Sequence, residues 1–503
     1  MISNKKLIQV DKILKKNLKQ SLSQKNFDLA LRLVELSSHL QYNYCFHDTL
    51  YDKELEDSLK EIADSLFKTE IIQPKQDVVL FYDYFGFDNR GLTQQYLRAL
   101  QRLNKRIVLV FENKNRHYKN EAILAEIENY NNKAVYYLEG SNRIELCESL
   151  FSILLTEKPE HILMHLIPWD TIAYMAFYKI KGVKRYQINL TDHTFWLGVD
   201  ITDVNIEFRS YGLNLSEQLR NIPSHKNKIL PYYPILSKSE FQGFDFETEG
   251  KKIIFSGSTY YKVLGNRLEF FETIHKLLQL DENLIFVLAG SGNGSAITKF
   301  INDNKLNDRF FLIGDRYDLY EIMQRVDYYI STFPFTGALM TQTAVAANIP
   351  VFAYVSPESL FNDLKDLLYK SGTFKNINSL DALIDTFSMA HKKGNPEISY
   401  TDLMINEEEF AAGLEKIFMG ENPMEFLEKR EKVHNSYKTF NALMIESENH
   451  YNPLYESTLN KFLSSSEKFK IFPDHRLHYY KKTFNESKIQ FIKLLYYHIT
   501  NKL

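Results

Sequence analysis

The apolar run Tyr186–Leu190 empties into Thr191-Asp192-His193, a carboxylate beside an imidazole. At the carboxyl end of a strand, such a pair stands where ligands of parallel sheets collect. His193 can polarise a hydroxyl or accept its proton while Asp192 orients the ring; a histidine that only caps the strand end has the same sequence. A second candidate spans Asp327–Pro350, DYYISTFPFTGALMTQTAVAANIP. A short apolar strand gives way to a loop with Gly337, and Ala338, Leu339, Met340 and Thr341 form the first turn of a small-residue helix. Unpaired backbone N–H groups and the positive end of a helix dipole converge there, a place to hold a phosphate or diphosphate. The third is Phe255–Lys262, FSGSTYYK. Gly257, between Ser256 and Ser258, lets the backbone approach a ligand, and Lys262 adds a point charge for a diphosphate. A solvated lysine after a turn is the alternative.

Weaker signals follow other strand ends. Tyr82–Leu100 carries Asp88, Asn89 and Gly91, with Gly91 opening a helix; ordinary turn and cap chemistry explains it equally well. Leu288–Gly294, LAGSGNG, is a glycine-rich β–α turn that includes Gly290 and Ser291. Glu207 and Arg209 follow the run Val204–Phe208, as acceptor or phosphate contacts or as an exposed pair. Asp318, with Glu321 three positions on, reads as a helix cap. No HExxH, Walker loop, paired Cys/His ligand set or serine elbow occurs, so neither metal nor cofactor is implied.

These loops need a scaffold, and apolar periodicity supplies one. Residues 1–72 are helical: Leu29, Leu33, Leu36 and Leu40, then Leu55, Leu59, Ile62 and Leu66, recur at helical spacing in two amphipathic helices joined near Tyr42–Asp48. Residues 73–240 alternate short strands with helices. The strands are Val78–Tyr82, Ile107–Phe111, Val135–Leu138, Ile162–Met164, Tyr186–Leu190 and Val204–Phe208. Residues 241–376 repeat the pattern, after a polar linker at Ser237–Lys252, with strands at Ile253–Phe255, Leu284–Leu288, Phe310–Ile313, Tyr328–Ile330 and Val351–Ala353. Such alternation specifies α/β units with doubly wound parallel sheets. Two in succession place a cleft between their carboxyl strand ends. Residues 377–503 return to helix.

Composition narrows the class. Over 503 residues, 44% hydrophobic and 25% charged is ordinary globular usage, and a net charge of −3 gives no pull toward nucleic acid. Cys45 and Cys147 alone exclude a disulfide framework. The lysine-laced N-terminus lacks a signal-peptide core, and no apolar run reaches the ~18–20 residues needed to span a bilayer. A cytoplasmic protein is expected, and the Lys, Asn and Ile usage suits an AT-rich bacterial genome.

Taken in order, FSGSTYYK, LAGSGNG, LIGDRYDLYEIM (Leu312–Met323) and the segment Asp327–Pro350 resemble glycosyltransferases of the GT-B fold, most of all the O-GlcNAc-transferase branch and its bacterial relatives. The resemblance implies two Rossmann-like domains facing a cleft, with helical additions at both ends. It implies a nucleotide-sugar donor and a glycan, lipid-linked or protein acceptor, as in bacterial surface-polysaccharide or glycoconjugate synthesis. Donor contacts would fall to Ser256, Gly257, Lys262, Gly290, Ser291, Arg316, Gly337, Met340, Thr341, Gln342 and Thr343. His193 would face the sugar, and Asp88, Asn89, Gly91, Glu207 and Arg209 would lie on the acceptor side. Thr343 departs from the pattern, because most of these enzymes carry there an acid that bonds the ribose; Gln342 can take over a sugar or ribose contact. Many retaining members carry a Glu where this chain has Phe335. Two other classes therefore stay open: a non-catalytic partner of an active transferase, and a nucleotide-sugar epimerase. The basic, aromatic segment Lys468–Leu503 suits either packing across the domains or contact with an anionic membrane at the inner face.

Overall fold

The computed structural model describes residues 3–84, 91–112, 120–236, 239–265, 268–358, 360–363, 368, 377–393, 403–423, 432–451, 454–472 and 492. Three helices come first: α1 (Asn4–Ser23), α2 (Phe27–Tyr44) and α3 (Lys53–Leu66). The first α/β unit follows as β1 (Glu70–Ile71), β2 (Val78–Asp83), α4 (Leu92–Arg102), β3 (Arg106–Phe111), α5 (Glu121–Glu126), β4 (Lys133–Tyr137), α6 (Arg143–Glu157), β5 (His161–His165), α7 (Thr171–Lys179), β6 (Ile180–Lys181), β7 (Lys184–Asn189), β8 (Val204–Glu207), α8 (Ser210–Gln218) and β9 (Asn227–Ile229). Its main sheet is wholly parallel, in the order β4-β3-β2-β5-β7-β8-β9.

The second unit runs β10 (Lys252–Gly257), α9 (Glu269–Leu278), β11 (Leu284–Ala289), α10 (Ser295–Asp303), β12 (Phe310–Leu312), α11 (Leu319–Met323), β13 (Tyr328–Ile330), α12 (Ala338–Ala346), β14 (Val351–Phe352) and α13 (Leu380–Lys393). Its five strands are also parallel, in the order β12-β11-β10-β13-β14. The strand order reverses beside β2 in one unit and beside β10 in the other. Those are the switch points of doubly wound sheets, where the loops part to leave a crevice. The expected pair of Rossmann-like units is present.

Burial on both faces explains why the strands read as unbroken apolar runs. In β2, Val78, Leu80 and Tyr82 face the core shared with the N-terminal helices and α6–α7, while Val79 and Phe81 face α4. In β10, Ile254 faces α9, and Ile253 and Phe255 face α11–α12. The region after residue 376 is shared between the units. Leu383 and Phe387 of α13 belong to the second unit's core. Of the remaining helices, α14 (Glu407–Phe418), α16 (Leu454–Phe462) and α17 (Ser465–Ile471) return to the first unit and the N-terminal helices, while α15 (His434–Tyr451) packs on α2 and on the second unit, where Ser436 accepts the Leu360 N–H. Arg98 joins Glu126 to Glu407, and Arg32 reaches Glu467 from α2 with a two-pronged ion pair.

Several local expectations differ. The linker is pinned by its aromatics: Phe246 stacks on Phe311 at 3.8 Å, with Phe244 beside it. Asp318 occupies the N-cap position of α11 but makes no cap bond, because its carboxylate takes Arg316 and the Gln242 N–H instead. Asp88 and Asn89 lie outside the described residues, as does most of 468–503. Of that segment's described part, Lys468 is buried against Asn460, and Ile471 and Phe472 lie in the core. Among the described residues no helix is long and apolar enough to cross a membrane.

Phe410 of α14 is 1% exposed and meets Tyr96 and Tyr233 edge-on at 5.1 and 5.6 Å. Phe410→Ala is expected to cost about 3–5 kcal/mol in urea unfolding. An unchanged midpoint would show that α14 contributes nothing to the first unit's core.

Candidate functional site

A cavity of about 320 Å³ lies between the two units. Its floor comes from the second unit: Gly257 at the end of β10 with Ser258 after it, Ala289 at the end of β11 with Gly290 after it, the run Asp315–Tyr317 after β12, and Leu339, Met340 and Thr343 of α12. Gly91, Gln94, Glu126 and Ile235 of the first unit form the opposite wall. Two backbone devices shape the floor. Gly290 has φ +138°, and a Cβ there would sit 1.9 Å from the Ser258 carbonyl oxygen, so only glycine fits. A Cβ on Gly257 would meet the Met340 methyl at 2.6 Å, which lets α12 approach the loop after β10.

The start of α12 is held from behind. Gly337, its N-cap, donates its N–H to Thr332 Oγ1 at 3.0 Å, and Thr336 donates its N–H to Asn362 at 2.9 Å. Ser331 Oγ lies 3.1 Å from both Thr336 Oγ1 and Thr341 Oγ1. The N–H groups of the next three residues, Ala338, Leu339 and Met340, find no partner among the described residues. Leu339 and Met340 stand in the cavity wall, so these donors and the helix dipole favour an anion there.

Of the sequence-predicted donor residues, Gly257, Gly290, Arg316, Met340 and Thr343 line the cavity, and so does Gly91. Ser256, Lys262, Ser291, Gly337, Thr341 and Gln342 do not. Ser256 donates to the Ile330 carbonyl within the sheet. Lys262 donates to the Thr336 carbonyl at 3.3 Å, behind the start of α12. Thr341 belongs to the hydroxyl web. Gln342 donates to the Tyr232 carbonyl of the opposite unit at 2.8 Å, a bridge between domains. Ser291 carries a backbone role, its carbonyl accepting from the Tyr260 N–H. Arg316 is at the wall, but its guanidinium is spent on Asp318 and the Gly243 carbonyl. Thr343 donates its hydroxyl to the Leu339 carbonyl.

His193 and Asp192 meet as expected, with Nδ1 3.0 Å from Oδ1. Arg209 clamps the same carboxylate, Nε to Oδ2 at 2.6 Å and the second terminal nitrogen to Oδ1 at 3.1 Å. Although burial opposes it, the Arg209 charge holds the Asp192 carboxyl well below the usual range. The anion therefore accepts, Nδ1 carries the proton, and Nε2 keeps its lone pair. The ring is outside the cavity wall, edge-on to Phe361 and Phe440 at 5.0 and 5.1 Å. Phe335 packs on both of those rings.

Glu207 and Arg209 are not an exposed pair; both are fully buried. Glu207 accepts from Asn189, Asn205 and Ser216, and burial pushes its carboxyl up to about 7. Arg209 reaches across the domains to the Phe361 carbonyl at 2.6 Å. Ser258, Asp315, Tyr317 and Leu339, also on the wall, fall in the segments that the sequence singles out, Phe255–Lys262, Leu312–Met323 and Asp327–Pro350, although no contact is assigned there to their side chains.

No protein-family model matches the chain, and no curated protein does. Solved structures of similar shape include Anabaena HepE in complex with UDP and glucose, at 12% identity and TM-score 0.43, covering 74% of this chain and 99% of that one. A UDP-GlcNAc 2-epimerase from Neisseria meningitidis bound to UDP-GlcNAc has 14% identity and TM-score 0.42, covering 68% and 99%. A Thermobaculum terrenum O-GlcNAc transferase mutant has 11% identity and TM-score 0.41, covering 90% and 83%. At these values the GT-B assignment rests on this chain's own strand order and facing cleft.

Burial lowers the His193 pKa from its ordinary 6.5, while the Asp192 carboxylate opposes that shift. Protonation is thus disfavoured in the folded state, and the stability linked to His193 falls as pH drops through the unfolded value. NMR titration of the ring should give a midpoint below 6.5, lower still in Asp192→Asn. A midpoint at or above 6.5 would contradict the neutral, Nδ1-protonated form.

Proposed function

We propose that the cleft binds a nucleoside-diphosphate sugar and that the protein transfers the sugar to a hydroxyl of a glycan or protein acceptor. The observation that carries this is the trio of unpartnered N–H groups at Ala338, Leu339 and Met340, set beside a glycine-lined floor at the switch point. In such a transfer the acceptor oxygen bonds to the anomeric carbon as the carbon–oxygen bond to the diphosphate breaks. Charge grows on the leaving diphosphate, where fixed N–H donors and the α12 dipole stabilise it without reorganising. The acceptor's proton would pass to His193 Nε2, whose ring Asp192 and Arg209 hold in place outside the cavity wall, so the acceptor hydroxyl would have to enter from the His193 side.

The rings of Phe361 and Phe440 against His193, backed by Phe335, favour a second reading, in which the protein holds the nucleotide without transferring anything. A thermal-shift panel of nucleoside diphosphates and their sugars tests the shared part. A ligand at about 100 times its dissociation constant adds about 2.7 kcal/mol; no stabilisation by any member overturns both readings. Following nucleoside-diphosphate release by NMR separates transfer from holding, and inversion of the sugar without release would show an epimerase. If transfer occurs, His193→Ala should lower turnover ~10²-fold with little change in donor affinity. A fully active variant would make the histidine structural.

A further inference from the structure

We infer that the outward face of α1 is a docking surface for an anionic membrane, which it meets with a fixed row of lysines. Lys5, Gln9, Lys12, Lys16 and Lys19 recur at spacings of four, three, four and three, and all are exposed. They form one stripe, opposite Leu7, Val10, Leu14 and Leu18, which are buried in the core. From Lys5 to Lys19 the stripe runs about 21 Å. Bonds on the inner flank set its direction. Buried Asp11 accepts from Ser37 of α2 and meets His47, and Lys15 reaches Asp11 at 3.1 Å and Asp52, at the start of α3, at 2.6 Å.

The charge of this face has one sign. Asp11 is the only acid in α1, and it is buried among those partners. Lys19 has Glu54 at 3.0 Å, while Lys5, Lys12 and Lys16 take no ion pair among the described residues. Helix α3 shows the ordinary mixed surface, with Lys53 against Asp57 and with Glu61 and Asp64 exposed. A chain of net charge −3 has no general positive field, so the row is a local feature. Its chemistry favours a charged plane over other polyanions. Lysine is a hydrated point charge without the fork that arginine offers a phosphate or a base, and no ring stands in the stripe to stack on one. No apolar side chain stands in it to anchor a protein partner. The apolar side of α1 is spent on the core, so the helix rests on headgroups without entering the acyl region, and its attachment is electrostatic. This surface is distinct from Lys468–Leu503, where Lys468 is buried.

Co-sedimentation of the full chain with vesicles tests this, using phosphatidylcholine alone and phosphatidylcholine with about one-third phosphatidylglycerol. Wild type should bind only the anionic vesicles at ~0.1 M salt and leave them at ~0.5 M. Each lysine near such a surface contributes about 5-fold to the partition coefficient, so Lys12→Gln with Lys16→Gln should lower it about 30-fold. Both positions are exposed and glutamine suits a helix, so the unfolding midpoint of that variant should match wild type. Lys276→Gln with Lys299→Gln removes the same charge from exposed positions on α9 and α10, and should bind as wild type does. Full binding by the Lys12 and Lys16 variant, an equal loss in the Lys276 and Lys299 variant, or binding to neutral vesicles would overturn the assignment. So would failure of wild type to bind anionic vesicles, and retention on single-stranded RNA in their place would make the partner a nucleic acid.

Discussion

The Arg209 guanidinium is buried at the boundary of the two Rossmann-like units, donating to Asp192 in one and to the Phe361 carbonyl in the other. Phe208, Tyr211 and Phe361 surround it at about 5 Å. A charge taken so far from water persists only when paired and hydrogen-bonded, and removing one partner of such a pair costs about 3–5 kcal/mol. Domain spacing, the ionised state of Asp192 and the protonated nitrogen of His193 therefore hang on one cation. Gln342, bonded to the Tyr232 carbonyl, and the apolar cluster of Leu92, Phe208, Tyr232 and Ala353 close the same boundary. The cleft keeps its width because these contacts cross it.

Within that frame the second unit divides its polar groups into two sets. Thr332, Thr336, Asn362 and Ser331 are spent on each other and on the loop that launches α12. What they leave over is a row of backbone N–H groups at the cavity. The division suits a ligand recognised by its phosphates through main chain rather than through lysine, since Lys262 stays behind the loop on the Thr336 carbonyl. Thr343 closes a turn of its own helix, so no carboxylate stands at that position for a ribose.

Much of the scaffold was legible in the sequence because strands buried on both faces leave runs such as VVLFY and LIFVL, with glycines marking the loops between them. The N-terminal region has three helices where two were read: α1 was missed, although Leu7, Val10, Leu14 and Leu18 recur at helical spacing and all are buried, because lysines fill the positions between. Helix α7 was not legible either, since a helix surrounded by protein shows no polar stripe. The site was half legible. Gly257, Gly290 and Gly337 declare themselves by type, whereas the inward turn of Arg316 onto Asp318 and the burial of Arg209 depend on partners that local pattern does not display. Long-range pairing decides which charges remain for a ligand.

Amide hydrogen exchange of the full chain, with and without a saturating nucleoside diphosphate, tests the central claim most directly. The ligand should slow exchange at Ala338, Leu339 and Met340, and at the loops holding Gly257 and Gly290, because N–H groups that lack partners gain them. Unchanged exchange at the start of α12, with protection elsewhere or none, would contradict the placement of the anion and with it the function read from this cleft.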